Sequence, residues 1–161
     1  MLLVGGMAGC AYRDASDPQQ PASPERSGRP APSVPTKSPR ILDLEAENYA
    51  ELKKRLAAAP GSVLLDDSGP ADGPGAGFSK TATVRIAGSY TVTAACVGIE
   101  HAQVFLSQEA GAELSPLDID CSGVLSQVIE LKAGYVGAQL VRQDPNGPWT
   151  GAVAGIKITV T

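Results

Sequence analysis

Tyr90-Thr91-Val92-Thr93-Ala94-Ala95-Cys96 is the stretch that decides the fold class. Tyr90, Val92, Ala94 and Cys96 fall in one phase, with Thr91, Thr93 and Ala95 in the other. This is the period of a strand with one face turned to a core. Gly88 and Ser89 supply a turn before it, and Gly98 breaks it afterwards. The same period recurs on both sides. Ala82, Val84 and Ile86 alternate with Thr81, Thr83 and Arg85. Downstream come Ala102, Val104 and Leu106, then Leu117, Ile119 and Cys121 with Asp118 and Asp120 opposite. Leu125, Ile129 and Leu131 follow, with Gln127 in phase. Val136, Ala138 and Leu140 form the next set, and Ala152, Ala154, Ile156, Ile158 and Val160 the last. Seven short strands with turns between them predict a mainly β domain over residues 79–161. The expected architecture is a small antiparallel β-sandwich, immunoglobulin-like in general form.

Two cysteines fall in inward phases on different strands of this pattern, Cys96 and Cys121. They are expected to form a disulfide, which a domain too small for a large core needs as a staple. A loop of this size is worth about 3.5 kcal/mol on the chain-entropy relation. A catalytic thiol would need a base. The chain has a single histidine, His101, and it lies opposite in phase to Ala102, Val104 and Leu106, with glycine-containing chain between it and the Cys96 strand.

Upstream the period changes. Residues 41–60 read as an amphipathic helix, with Leu42, Tyr49, Leu52, Leu56 and Ala59 on one face and Pro60 and Gly61 as the stop. Its acidic residues lie early and Lys53, Lys54 and Arg55 late, as the helix dipole favours. Leu42, Tyr49, Leu52 and Leu56 need cover, either from the domain itself or from another protein or second copy. Residues 61–78 read as a Gly/Pro/Asp loop, apart from a short strand or anchoring contact at Val63, Leu64 and Leu65. Asp66, Asp67 and Asp72 there suggest calcium, but Pro70 stands where the EF-hand spacing requires an oxygen ligand.

The N-terminus carries a different signal. Met1 to Gly9 is a short apolar run ending in small residues, and residues 1–9 read as part of a lipoprotein signal peptide. Met7-Ala8-Gly9-Cys10 has the narrow side chains and the thiol of a lipobox, so Cys10 is the expected lipidation site. Residues 10–40 hold seven prolines and few large apolar side chains, a composition expected to give a disordered tether. Lipidation of Cys10 removes the odd thiol of the three in the chain. The expected location is the extracytoplasmic face of the cell membrane.

Composition excludes more than it assigns. With 13 basic against 17 acidic residues the net charge is -4, which argues against nucleic acid as a partner. There is no Gly-x-Ser-x-Gly, no Cys-x-x-Cys, no phosphate loop and no cofactor or metal motif. Asp118 and Asp120 share a strand face, as alternating polar residues on any solvated face do. Trp149 follows the turn residues Asn146, Gly147 and Pro148. It is expected at the start of the last strand, either plugging one end of the core or exposed as an anchor for a glycan or protein.

The run Gly88 to Gly98, Asp120-Cys121-Ser122-Gly123, Lys132-Ala133-Gly134-Tyr135 and Trp149 resemble small secreted lipoproteins of high-GC Gram-positive bacteria. The resemblance implies one disulfide, a β-sandwich and a Pro/Ser-rich stalk, but no activity. The leading expectation is a membrane-anchored interaction or structural module without catalysis, with an envelope protein or glycan as partner. The alternative is an accessory carbohydrate-binding domain. That reading requires two or more exposed aromatics on one face, whereas Tyr12, Tyr49, Phe78, Tyr90, Phe105, Tyr135 and Trp149 are scattered along the chain.

Overall fold

The computed structural model describes residues 36–73, 77–108, 112–113, 116–144 and 146–160. The signal segment, Cys10 and the tether up to residue 35 lie outside the described residues. Among the described residues one helix, α1 (Pro39–Ala57), precedes nine strands. They are β1 (Val63–Pro70), β2 (Gly77–Val84), β3 (Gly88–Val97), β4 (His101–Gln108), β5 (Ala112–Glu113), β6 (Leu117–Asp120), β7 (Val124–Leu131), β8 (Gly134–Arg142) and β9 (Val153–Val160).

The strands form two antiparallel sheets. The four-stranded sheet has the order β1-β9-β3-β7, and the five-stranded sheet the order β2-β8-β4-β5, with β6 also beside β4. With the two-residue β5 set aside, one sheet reads first-eighth-third-sixth and the other second-seventh-fourth-fifth. That interleaving is the connectivity of a jelly roll within the expected sandwich. Val92, Ala94 and Ile156 of one sheet face Val104, Val136 and Leu140 of the other across a core from which water is excluded.

Two readings of the loops change. Asp66 to Pro70 belongs to β1, because a strand at a sheet edge tolerates Asp, Ser, Gly and a terminal Pro that a central strand would not. Ile86 lies past the end of β2 and is 76% exposed, although it continues the alternation of Ala82 and Val84.

β9 departs from simple alternation, since residues on both of its faces are buried. Ala154, Ile156 and Ile158 face the inter-sheet core. Val153 and Gly155 face the other way, beneath α1. Leu52 and Leu56 pack there with Ala95 and Val153, flanked by Tyr49 and Val97. Gly155 is what lets the helix come this close. A Cβ at that position would stand 2.6 Å from Leu56 Cδ1 and 3.3 Å from Leu52 Cδ2.

The helix face is rotated from the expected stripe. Leu42 is 52% exposed, and Ala46 is exposed as well. At roughly 100° per residue Leu42 falls about 80° around the axis from Leu52, past the edge of the buried face. The centre of that face runs instead through Ile41, Glu45, Asn48, Leu52 and Leu56. Its polar members are used: Asn48 Nδ2 donates to the Gly151 carbonyl at 2.9 Å.

Candidate functional site

Cys96 and Cys121 are joined by a disulfide with a Cα–Cα distance of 4.9 Å. Cys96 is on β3 and Cys121 immediately follows β6, so the bond ties one sheet to the other. Arg55 of the helix bridges the same place. Its Nη1 donates to the Cys96 carbonyl at 3.0 Å and to the Cys121 carbonyl at 2.7 Å. Its Nε donates to Glu51 Oε1 at 3.2 Å, and this hydrogen bond, the largest cause, holds the Glu51 carboxyl below its ordinary range. Leu52 and Leu56 are buried against the chain's own sheet, and Tyr49 is half-buried beside them. Burial, then the nearby charges of Glu45 and Asp67, raise the Tyr49 phenol above its usual value, so it stays neutral. Of the helix residues expected to need cover, Leu52 and Leu56 find it within the chain, Tyr49 does in part, and Leu42 stays exposed.

Trp149 lies in the loop before β9 rather than at the start of the strand, which opens at Val153. Its indole rests against Gly73, where φ is +86° and a Cβ would stand 2.4 Å from ring carbon Cη2. The Lys37 ammonium stands 5.1 Å from the ring centroid and pairs with Glu45. Trp149 therefore fastens the chain entering α1 to the loop end of the sandwich. Asp72, with its side chain fully buried, fixes the same loop. It accepts from the N–H of Thr150 at 2.9 Å and of Gly151 at 2.7 Å, and lies 3.5 Å from Arg142 Nη1. Asp67 stands 3.8 Å from Lys80 and Asp66 is exposed. The three aspartates thus do not converge, and among the described residues no group of three or more His, Cys, Asp or Glu side chains could hold a metal.

Two aromatics that are scattered in the sequence, Phe105 and Tyr135, meet on the outer face of the five-stranded sheet. Register decides this, because residues directly opposite on paired strands project to the same side. Phe105 lies opposite Gln139, which lies opposite Ser79. Ser107 lies opposite Gly137, which lies opposite Thr81, and Tyr135 lies opposite Thr83. Phe105 is 39% and Tyr135 59% exposed. They stand on neighbouring strands, offset by four residues, or roughly 14 Å along the strand direction. Gly137 lies between them and leaves a hollow of about 190 Å³ lined by Phe105, Ser107, Gln139 and Ser79.

One margin of this face is acidic. Asp118 Oδ1 accepts from Gln103 Nε2 at 2.8 Å and from Gln143 Nε2 at 3.3 Å. Asp120, opposite His101, accepts from the Ser122 backbone N–H at 2.9 Å. That bond is the main reason its carboxyl stays below the ordinary carboxylate range, with the Ser122 hydroxyl and the His101 charge acting in the same direction. Both aspartates are occupied as hydrogen-bond acceptors, and no nucleophile stands against them in these contacts. Sequence alternation placed Phe105 and Tyr135 in outward phases, but their meeting on one face required the order in which β4 and β8 pair.

No protein family and no curated protein matches the sequence. Among solved structures, the chain is similar to a carbohydrate-binding module (CBM6cm-2) from Cellvibrio mixtus lichenase 5A in complex with cellotriose. The identity is 18% and the TM-score 0.39, over 56% of this chain and 73% of that one. It is also similar to the C-terminal CBM6 of LamC, a marine laminarinase from Zobellia galactanivorans, with 19% identity and a TM-score of 0.39, over 62% of this chain and 94% of that one.

Proposed function

We propose that the chain is a non-catalytic binding module that presents the outer face of its five-stranded sheet to a glycan. The observation that carries this reading is the pair Phe105 and Tyr135, both exposed on that face, with Phe105 lining the Gly137 hollow. The apolar C–H face of a sugar ring stacks on an aromatic ring, and its hydroxyls need donors and acceptors at the rim. Gln139, Ser79, Thr81 and Ser107 supply both kinds, while Asp118 supplies acceptors. No group in this set is arranged to break a bond. The module belongs, on this reading, to an extracytoplasmic membrane surface, held by a lipid on Cys10 through residues 11–35. Ala8-Gly9-Cys10, the proline-rich segment behind it and a disulfide suited to an oxidising compartment support that placement.

Affinity electrophoresis through gels containing soluble β-glucan, mannan or solubilised cell-wall polysaccharide tests the binding face. Wild type should be retarded by at least one of these. Phe105→Ala and Tyr135→Ala should each weaken binding roughly five- to tenfold, about 1–1.4 kcal/mol, without unfolding the domain. Unretarded wild type on all three, or retardation indifferent to both substitutions, would reject this face. The tether is tested separately. Metabolic labelling with a palmitate analogue, in a bacterial host that processes lipoproteins, should mark wild type and spare Cys10→Ala. Equal labelling of the two would reject lipidation at Cys10.

A further inference from the structure

At the pole of the sandwich where β9 ends, the two sheets part around a cleft of about 650 Å³. Val63 and Leu64 enter it from the start of β1, Tyr90 from the start of β3, Val160 from the end of β9 and Ile86 from the turn between β2 and β3. Tyr90 is nearly buried, and its hydroxyl donates to the Ile86 carbonyl at 2.7 Å, which fixes that turn at the cleft wall. Val63, Val160 and Ile86 are 53%, 47% and 76% exposed. Single exposed apolar side chains are ordinary on a protein surface, but three converging on one concavity mark a binding surface.

The charge of this cleft is the second observation. Among the described residues Arg85 is the one charged residue in its lining. Among the described residues it makes no ion pair or side-chain hydrogen bond, in a chain whose net charge is -4. The neighbouring Ser89 hydroxyl donates to Glu130, so that carboxylate has a partner of its own. The volume falls within the roughly 300–1,000 Å³ of small-molecule sites and is too small for a folded partner.

We infer that this cleft is a second binding site, distinct from the sheet face, and that it takes a small amphiphile with an apolar chain and an anionic head group. The chain would lie against Val63, Ile86, Val160 and the Tyr90 ring. The head would meet the Arg85 guanidinium, whose fork of N–H donors suits carboxylate and phosphate alike.

The test uses dodecanoate, dodecyl phosphate and dodecyltrimethylammonium, each below its critical micelle concentration, titrated into the isotope-labelled chain and followed by amide chemical shifts. The three probes share one tail and differ in the head. Dodecanoate, dodecyl phosphate or both should shift the amides of Ile86, Ala87, Ser89 and Tyr90, and whichever binds more tightly identifies the head. The cationic probe should bind at least tenfold more weakly. Arg85→Gln should weaken the anionic probes at least tenfold and leave the cationic one unchanged, and Ile86→Asp should abolish binding of all three. Both positions are exposed, and unchanged amide spectra elsewhere would establish that the variants fold. Equal binding of cation and anion, shifts centred away from these residues, or no shifts with any probe would overturn the inference.

Discussion

Replacing both Cys96 and Cys121 with alanine is expected to lower the unfolding free energy by about 3.5 kcal/mol, from the loop-entropy relation for residues 25 apart. For a domain of this size that is a large share of a stability typically near 5–15 kcal/mol. The covalent link runs between the two sheets, so its loss removes the one bond that keeps β3 and β6 together when the core loosens. It also frees the two backbone carbonyls held by Arg55 to move apart, which weakens the seat of the helix. Urea unfolding of wild type and the double variant, monitored by circular dichroism, measures the difference. A loss below about 1 kcal/mol would show that core packing alone holds the sheets together.

Leu52→Ala is the second large effect, expected to cost about 2–5 kcal/mol in the monomer. Leu52 is 1% exposed and sits over Gly155 and against Ala95 and Val153, where rigid strand backbone cannot collapse into the space it leaves. Leu42→Ala is the matching control. Its side chain is half in solvent, and the change should stay within about 0.5 kcal/mol. Urea titrations of both variants alongside wild type discriminate the two positions. Equal effects, or a monomer indifferent to Leu52→Ala, would place the helix somewhere other than on β3 and β9.

The alternation of Ala102 to Leu106 and of Val136 to Leu140 made the sandwich legible, because burial of one face writes a period of two into the sequence. The disulfide was legible for the same reason, since both cysteines fell in inward phases. The helix was legible as an element but not in its orientation. Its buried face includes Glu45, Asn48 and Arg55, polar residues whose partners are backbone carbonyls and Lys37, and a search for apolar periodicity passes over them. Edge strand β1 was hidden in Asp, Ser, Gly and Pro because solvent on its open side relaxes the demand for apolar residues. The candidate glycan face was the least legible part. Phe105 and Tyr135 are far apart in sequence, and only the pairing of β4 with β8 brings them to opposite sides of Gly137.

β9 is made after every other described strand, yet it is a middle strand of its sheet. Until Val153–Val160 has emerged, β1 and β3 have nothing between them, and Leu52 and Leu56 have no Gly155 to settle on. The four-stranded sheet and the docking of α1 therefore wait for β9 to be made, since these long-range pairings cannot form piecemeal as the chain grows.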